Sequence, residues 1–322
     1  MLYCFVSTDI DNISNSDPLY IQADYAKKLG KYVQCDLKSK TFTDADANRV
    51  DIFGKKVFLR TTCNNMSDAV NLITENGGIP VESLSNINKI ENWESLSLTK
   101  RSIISLNRDQ ILNLDLNQNL VDFFYKNNRV FIKSKKKGFS LTVPSEKVLN
   151  QDKELENILL SYNGPQYENL LVSKCYNIKK DSLGKKEVRF FVFDGSVHNC
   201  SRALHSVKHA VPKSFLNKAQ EIVQSINNLK SFSQNYVLDI AEFEDESSVF
   251  IDMLELNPVS TSLCYINNTI FKERIEEINH ISALLGAGPE YCFDAIKHPE
   301  RYVINRGAGE NYEYYSPEHY DL

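Results

Sequence analysis

Up to about residue 92, short apolar runs alternate with stretches whose apolar positions recur at helical intervals. LYCFVST (2–8) is apolar and rich in β-formers, and PLYIQADYAKKLG (18–30) has helical spacing with Gly30 as its C-cap. KKVFLRTT (55–62) predicts a second strand. Ser67 is placed as the N-cap of DAVNLITENGG, a helix stopped by Gly77 and Gly78, after which IPVESLS is extended. Strand–helix–strand order with short connections predicts a small α/β unit with parallel strands.

Around residues 85–120 the pattern of NINKIENWESLSLTKRSIISLNRDQILNL is mostly helical and predicts a crossover. The character then changes to β. NRVFIKSKKKGFSLTV (128–143) reads as two strands around a basic turn, followed by NLLVSKCYNI (169–178), KKEVRFFVFDGSVHNCSRAL (185–204) and NYVLDIAEFEDESSVFIDMLELNP (235–258). FDG and DESS supply hairpin turns in the last two. A helix, SFLNKAQEIVQSINNLKSF (214–232), lies between them, and IFKERIEEINHISALLG predicts one more before a Tyr-rich polar tail.

Composition narrows the class. The 322 residues carry a formal net charge of −5, with 42% hydrophobic and 25% charged residues, which excludes a disordered or collagen-like chain and allows a sizeable core. Mild acidity argues against a surface that grips nucleic acid. No apolar run reaches the roughly 18 residues that span a bilayer, and MLYCFVSTDID lacks the basic start and long apolar stretch of a secretory signal. Seven dispersed cysteines without a CxxC pair read as reduced thiols. The expectation is a cytoplasmic protein with no membrane or nucleic-acid partner.

The chemistry concentrates in 235–258. Glu255 and Asn257, two apart on an apolar strand, project to one face, and an antiparallel return brings Asp239 beside them. Two carboxylates and an amide oxygen make a hard donor set suited to Mg²⁺ that also keeps water and phosphate ligands. A lone Asp at a strand end is ordinarily a solvated cap, but a Glu inside an apolar strand needs a partner. Lys133 ends the strand RVFIK before a Gly-bearing turn, a position from which an ammonium reaches a triphosphate. Lys135, Lys136 and Lys137 read better as solvated hairpin residues. Arg189 and Arg202 lie on neighbouring β stretches, where a planar fork suits a transferred phosphoryl group or an acyl-phosphate; surface ion pairing is the plain alternative.

In order, FIKSKKKGFS, LLVSKCYNI, EVRFFVFDGSVHNCSRA and YVLDIAEFED…VFIDMLELNP resemble the ATP-grasp superfamily, in particular its compact bacterial and phage clade with an E-x-R-x-F-V-x-D-G strand pair and a late E-x-N strand. The resemblance covers roughly residues 95–265, and 1–92 resembles the α/β domain that precedes such modules. It implies an α/β (α+β) fold: an N-terminal pre-ATP-grasp domain (1–92), an ATP-grasp module (93–268) whose two α+β subdomains sandwich the nucleotide, and a C-terminal helix and Tyr-rich tail (269–322). It implies ATP and Mg²⁺, with Asp239, Glu255 and Asn257 as metal ligands, Glu255 also at the nucleotide, and Lys133 on its phosphates. Lys174 and Cys175 match the segment that holds adenine, and Arg189 and Arg202 the pair facing the transferred phosphoryl group. The turn SKKKGFS has one glycine where many relatives have more, and for a second nucleotide lysine only Lys100 offers itself.

The resemblance implies a carboxylate–amine ligase acting through an acyl-phosphate, with a small-molecule or peptide substrate. A phosphotransferase on the same nucleotide site, and a nucleotide-binding regulatory module without turnover, stand beside it. The chain carries no G-x-S-x-G elbow and no P-loop motif. His205 and His209, four apart, lack the companions of a zinc site and read as a polar face or as acceptor-site residues.

Overall fold

A computed structural model describes residues 1–11, 13–14, 17–62, 64–81, 99–114, 118–134, 139–162, 170–181, 184–202, 212–229, 234–244 and 248–262. These sort into two compact units. The first draws on Met1–Ile87, Ile178–Glu242 and the chain from Met253, the second on Asn88–Asn177 and Phe243–Asp252.

The first unit opens with β1 (Leu2–Val6), a helical turn α1 (Ser7–Ile10), α2 (Pro18–Lys28), β2 (Tyr32–Asp36), β3 (Thr41–Thr43), β4 (Lys56–Arg60), α3 (Met66–Glu75) and the short β5 (Ile79–Pro80). They form a sheet of order β3-β2-β1-β4-β5, in which β1 pairs in parallel with both β2 and β4, and β3 is antiparallel. The local code is visible in α2: the Asp17 carboxylate accepts from Leu19 N at 2.8 Å, Pro18 sits at the first position, and Gly30 follows the end at φ +63°. Ser67 is not a cap. Asn65 precedes α3, and Ser67 falls inside its first turn. The Asn65 side chain makes no capping bond, and its Nδ2 donates to Asp9 (2.8 Å) and Thr8 (3.2 Å).

In the second unit, β6 (Ile103–Leu106), α4 (Arg108–Leu112), α5 (Gln118–Lys126), β7 (Arg129–Ser134), β8 (Ser140–Pro144), α6 (Ser145–Leu149), α7 (Lys153–Ser161) and β9 (Leu170–Lys174) follow in order. Their sheet runs β6-β9-β7-β8, antiparallel throughout. The expected helical crossover is corrected where it is described: SIISL holds a strand, ended by Asn107, whose capping box with Gln110 starts α4. Val130, Ile132, Leu170 and Val172 form the buried face of this sheet with Leu155, Leu159 and Phe124.

The chain continues with the two-residue strands β10 (Asn177–Ile178), β11 (Lys180–Asp181) and β12 (Gly184–Lys185), then β13 (Glu187–Phe193), β14 (Ser196–Arg202), α8 (Lys213–Asn227), β15 (Tyr236–Glu244) and β16 (Val249–Asn257). The sheet order is β10-β15-β13-β14, with β16 on β15. Asp194 and Gly195, both at positive φ (47° and 69°), turn the β13–β14 hairpin. Tyr3, Phe5, Tyr32 and Phe58 of the first sheet share one core with Phe191, Phe193 and Val237 of this one. Strand alternation puts Arg189 on the face of Phe191 and Phe193, and Asp239 on the face of Val237 and Ala241. Among the described residues no helix is long and apolar enough to cross a membrane.

Candidate functional site

Arg189 lies directly opposite Asp239 in the antiparallel pairing of β13 and β15. Both are buried, at 4% and 0% exposure, so neither charge is stable without the other. The guanidinium closes a fork: Nε donates to Asp239 Oδ1 and Nη2 to Oδ2, each at 2.7 Å. From β16 the Asn257 amide nitrogen donates to Asp239 Oδ2 and to Glu255 Oε1, both at 3.0 Å. The structure therefore brings the three residues expected as a metal set around a single amide. Arg189, expected to face a phosphoryl group, is here the partner of Asp239.

Glu187, two positions before Arg189 and opposite Ala241, joins this cluster. Burial pushes its carboxyl up to about 7, with the charges of Asp239 and Glu255 adding to the rise and Arg189 and Lys185 opposing it. Sequence reasoning gave Glu187 no role, although it opens the same strand motif; amid KKEVR a glutamate looks solvated. The carboxylate oxygens of Asp239 and Glu255 are hard donors of the type that a divalent cation such as Mg²⁺ takes. Among the described residues no three His, Cys, Asp or Glu side chains converge as a metal site; the third donor of this set is the amide of Asn257.

The nucleotide candidates Lys133, Lys174 and Cys175 stand in the second unit. Lys133 is half-buried near the end of β7, opposite Leu171 of β9. Lys174 ends β9 opposite Val130, and its ammonium lies 5.0 Å from the centre of the Tyr176 ring. By alternation Lys133 shares a face with Phe131, Leu171 and Ser173, whereas Lys174 follows Val172 on the other. The two lysines are thus not on one face. The Cys175 N–H donates to Arg129 O at 2.9 Å, so the sheet uses it. Lys100 is exposed, and its N–H donates to the buried Asp252 at 2.8 Å, beside Thr99 Oγ1 at 2.6 Å.

Arg202 ends β14 opposite Val188. Its side chain lies outside the described residues, as do Lys135–Lys137, His205, His209 and the C-terminal helix and tail. Of the cysteines, Cys4, Cys35 and Cys200 are buried thiols and Cys175 is half-buried.

No protein-family model and no curated protein matches the sequence. Among solved structures the chain is similar to D-cycloserine synthetase DcsG, with a TM-score of 0.55 and 9% identity over 88% of this chain and 99% of that one. It is also similar to the ATP-grasp ligase PsnB in complex with precursor peptide PsnA2 and AMPPNP, with a TM-score of 0.50 and 11% identity over 81% of this chain and 90% of that one. At these identities the likeness is one of fold, and it agrees with the expected α/β (α+β) architecture.

Proposed function

The chain has the ATP-grasp fold, and on that premise we propose that it is an ATP-dependent carboxylate–amine ligase that works through an acyl-phosphate and releases ADP and phosphate. The observation that carries the proposal is the convergence of Asp239 and Glu255 on the Asn257 amide, with Arg189 clasping Asp239. In the proposed reaction a substrate carboxylate attacks the γ-phosphorus of ATP, ADP leaves, and an amine displaces phosphate from the acyl-phosphate. The complex of the similar PsnB with a precursor peptide and AMPPNP supports ATP as the nucleotide and a peptide or amino-acid-like substrate.

Glu255 and Asn257, with the charge of Asp239, would hold Mg²⁺. When bound, the ion supplies neutralisation of phosphate charge. Arg189 keeps the Asp239 carboxylate in one orientation, so the negative field of the cluster is set before any ligand arrives. Lys133 is assigned to the nucleotide phosphates, Lys174 and Cys175 to the base, and Arg202 to the transferred group. Positioning and charge, rather than a side-chain nucleophile, do the work in this scheme.

The test is the melting temperature with and without Mg²⁺–ADP, for wild type and Glu255→Gln. Ligand at about 100 times Kd stabilises by roughly 2.7 kcal/mol, a shift of about 2–4 °C for a chain of this size. The expected result is a Mg²⁺-dependent shift that weakens in the variant. No shift in wild type at millimolar nucleotide overturns the proposal.

A further inference from the structure

Arg60 closes β4 and is buried at 2% exposure, where a guanidinium requires acceptors on every side it presents. Its Nε donates to Gln22 Oε1 at 2.9 Å, and Gln22, on α2, is itself 1% exposed. Its two terminal nitrogens reach far along the chain. Nη1 donates to Val259 O and Nη2 to Ser262 O (3.0 Å), across 199 and 202 residues of sequence.

The next residue adds a third tie, Thr61 N donating to Ser260 O at 2.9 Å. The turn so held is closed on itself: Ser262 N donates to Val259 O at 3.3 Å and Ser262 Oγ to Pro258 O. It begins immediately after Asn257, whose amide must stay at 3.0 Å from both carboxylates. A hydrogen bond weakens over a few tenths of an ångström, so a shift of this turn is felt at Asn257 first. An apolar side chain in place of Arg60 would fill the space but leave those carbonyls unheld, and lysine has no rigid fork to span two of them.

We propose that Arg60 is a positioning residue for the Mg²⁺–nucleotide site: from the first sheet it fixes the turn leaving β16 and thereby sets the reach of Asn257 to Asp239 and Glu255. This rests on the nucleotide reading above. The Arg60 bonds to Val259 O and Ser262 O act on the backbone of Val259–Ser262.

The experiment uses Mn²⁺ as a paramagnetic probe, titrated by electron spin resonance into the full chain with and without ADP, alongside ADP affinity measured without metal. Wild type, Arg60→Lys and Gln22→Met are compared. Arg60→Lys is expected to weaken Mn²⁺ binding at saturating ADP by about 10–100-fold, as removal of supports behind metal ligands does, with metal-free ADP affinity unchanged. Gln22→Met, which keeps the guanidinium but removes one acceptor, is expected to weaken it in the same direction by less. Folded Arg60→Lys with a lowered melting temperature and wild-type Mn²⁺ affinity overturns the inference and makes Arg60 a stability residue only. Where Arg60→Lys does not fold, wild-type Mn²⁺ affinity in Gln22→Met overturns it equally. A wild type that binds no Mn²⁺ with ADP overturns the nucleotide reading and this inference together, whereas normal wild-type binding with indifferent variants overturns this inference alone.

Discussion

Arg189 and Asp239 face each other across β13 and β15 and are joined by two parallel bonds of 2.7 Å in a buried setting. Truncating either one leaves the other charge buried and unmatched. Arg189→Met and Asp239→Leu should each destabilise the unliganded protein by about 3–5 kcal/mol in urea unfolding. The double variant should lose much less than the sum of the two. Additive losses would show that the pair is not a coupled unit.

Glu187 makes stability depend on pH in an unusual direction for a carboxylate. Its folded pKa is raised to about 7 by burial and by the charges of Asp239 and Glu255, from an ordinary value of 4.5. Between these values the native protein holds a proton that the unfolded chain has released. The contribution of this group therefore falls as pH rises through about 4.5 to 7, by roughly 3 kcal/mol in total. Glu187→Gln should gain stability relative to wild type on going from pH 5 to pH 8, as read by paired urea titrations. A difference between the two proteins that is flat with pH contradicts the assignment.

Two glycines separate backbone strain from side-chain crowding. Gly30 (φ +63°) has open space where a Cβ would go, whereas at Gly195 (φ +69°) a Cβ would lie 2.7 Å from Asn227 Oδ1 and 2.8 Å from Gln234 Oε1. Gly30→Ala should cost about 1–2 kcal/mol from the left-handed backbone alone. Gly195→Ala should cost more, since Asn227 must turn and give up its bond to Gly195 O (2.8 Å). Equal melting temperatures for the two variants would remove the crowding argument.

Phe58, in the first sheet, packs its ring 5.9 Å from that of Phe193 in β13 and 6.0 Å from that of Tyr3. Phe58→Ala should destabilise by about 3–5 kcal/mol. Amide exchange should speed up in β13 as well as in β4, because both strands lose the same buried neighbour. Faster exchange confined to residues 56–60 would show that the sheets open separately.

Periodicity made the strands of the late sheet legible because each carries a long apolar run closed by a turn, as in EVRFFVFDG. The same regularity exposed Glu255 and Asn257, polar residues at even spacing in an apolar strand. Other parts were hidden for physical reasons. In RSIISLNRD the apolar positions fit either period, and the capping box at Asn107 decides for a strand before a helix. Ser67 falls inside the first turn because α3 begins one residue earlier, at Met66, with no side-chain cap. Arg60 reads as a charged strand end bound for solvent, and its acceptors, about 200 residues on, have no local signature. Glu187 is concealed by the lysines that precede it.

The core shared by Tyr3, Phe5 and Phe58 with Phe191, Phe193 and Val237 has a consequence for segment replacement. A segment whose buried rings complete a neighbour's interior is not a cassette. Grafting a foreign N-terminus in its place would have to match ring for ring before any new selectivity could be expressed. Insertions into exposed loops, by contrast, would leave the joint interior untouched.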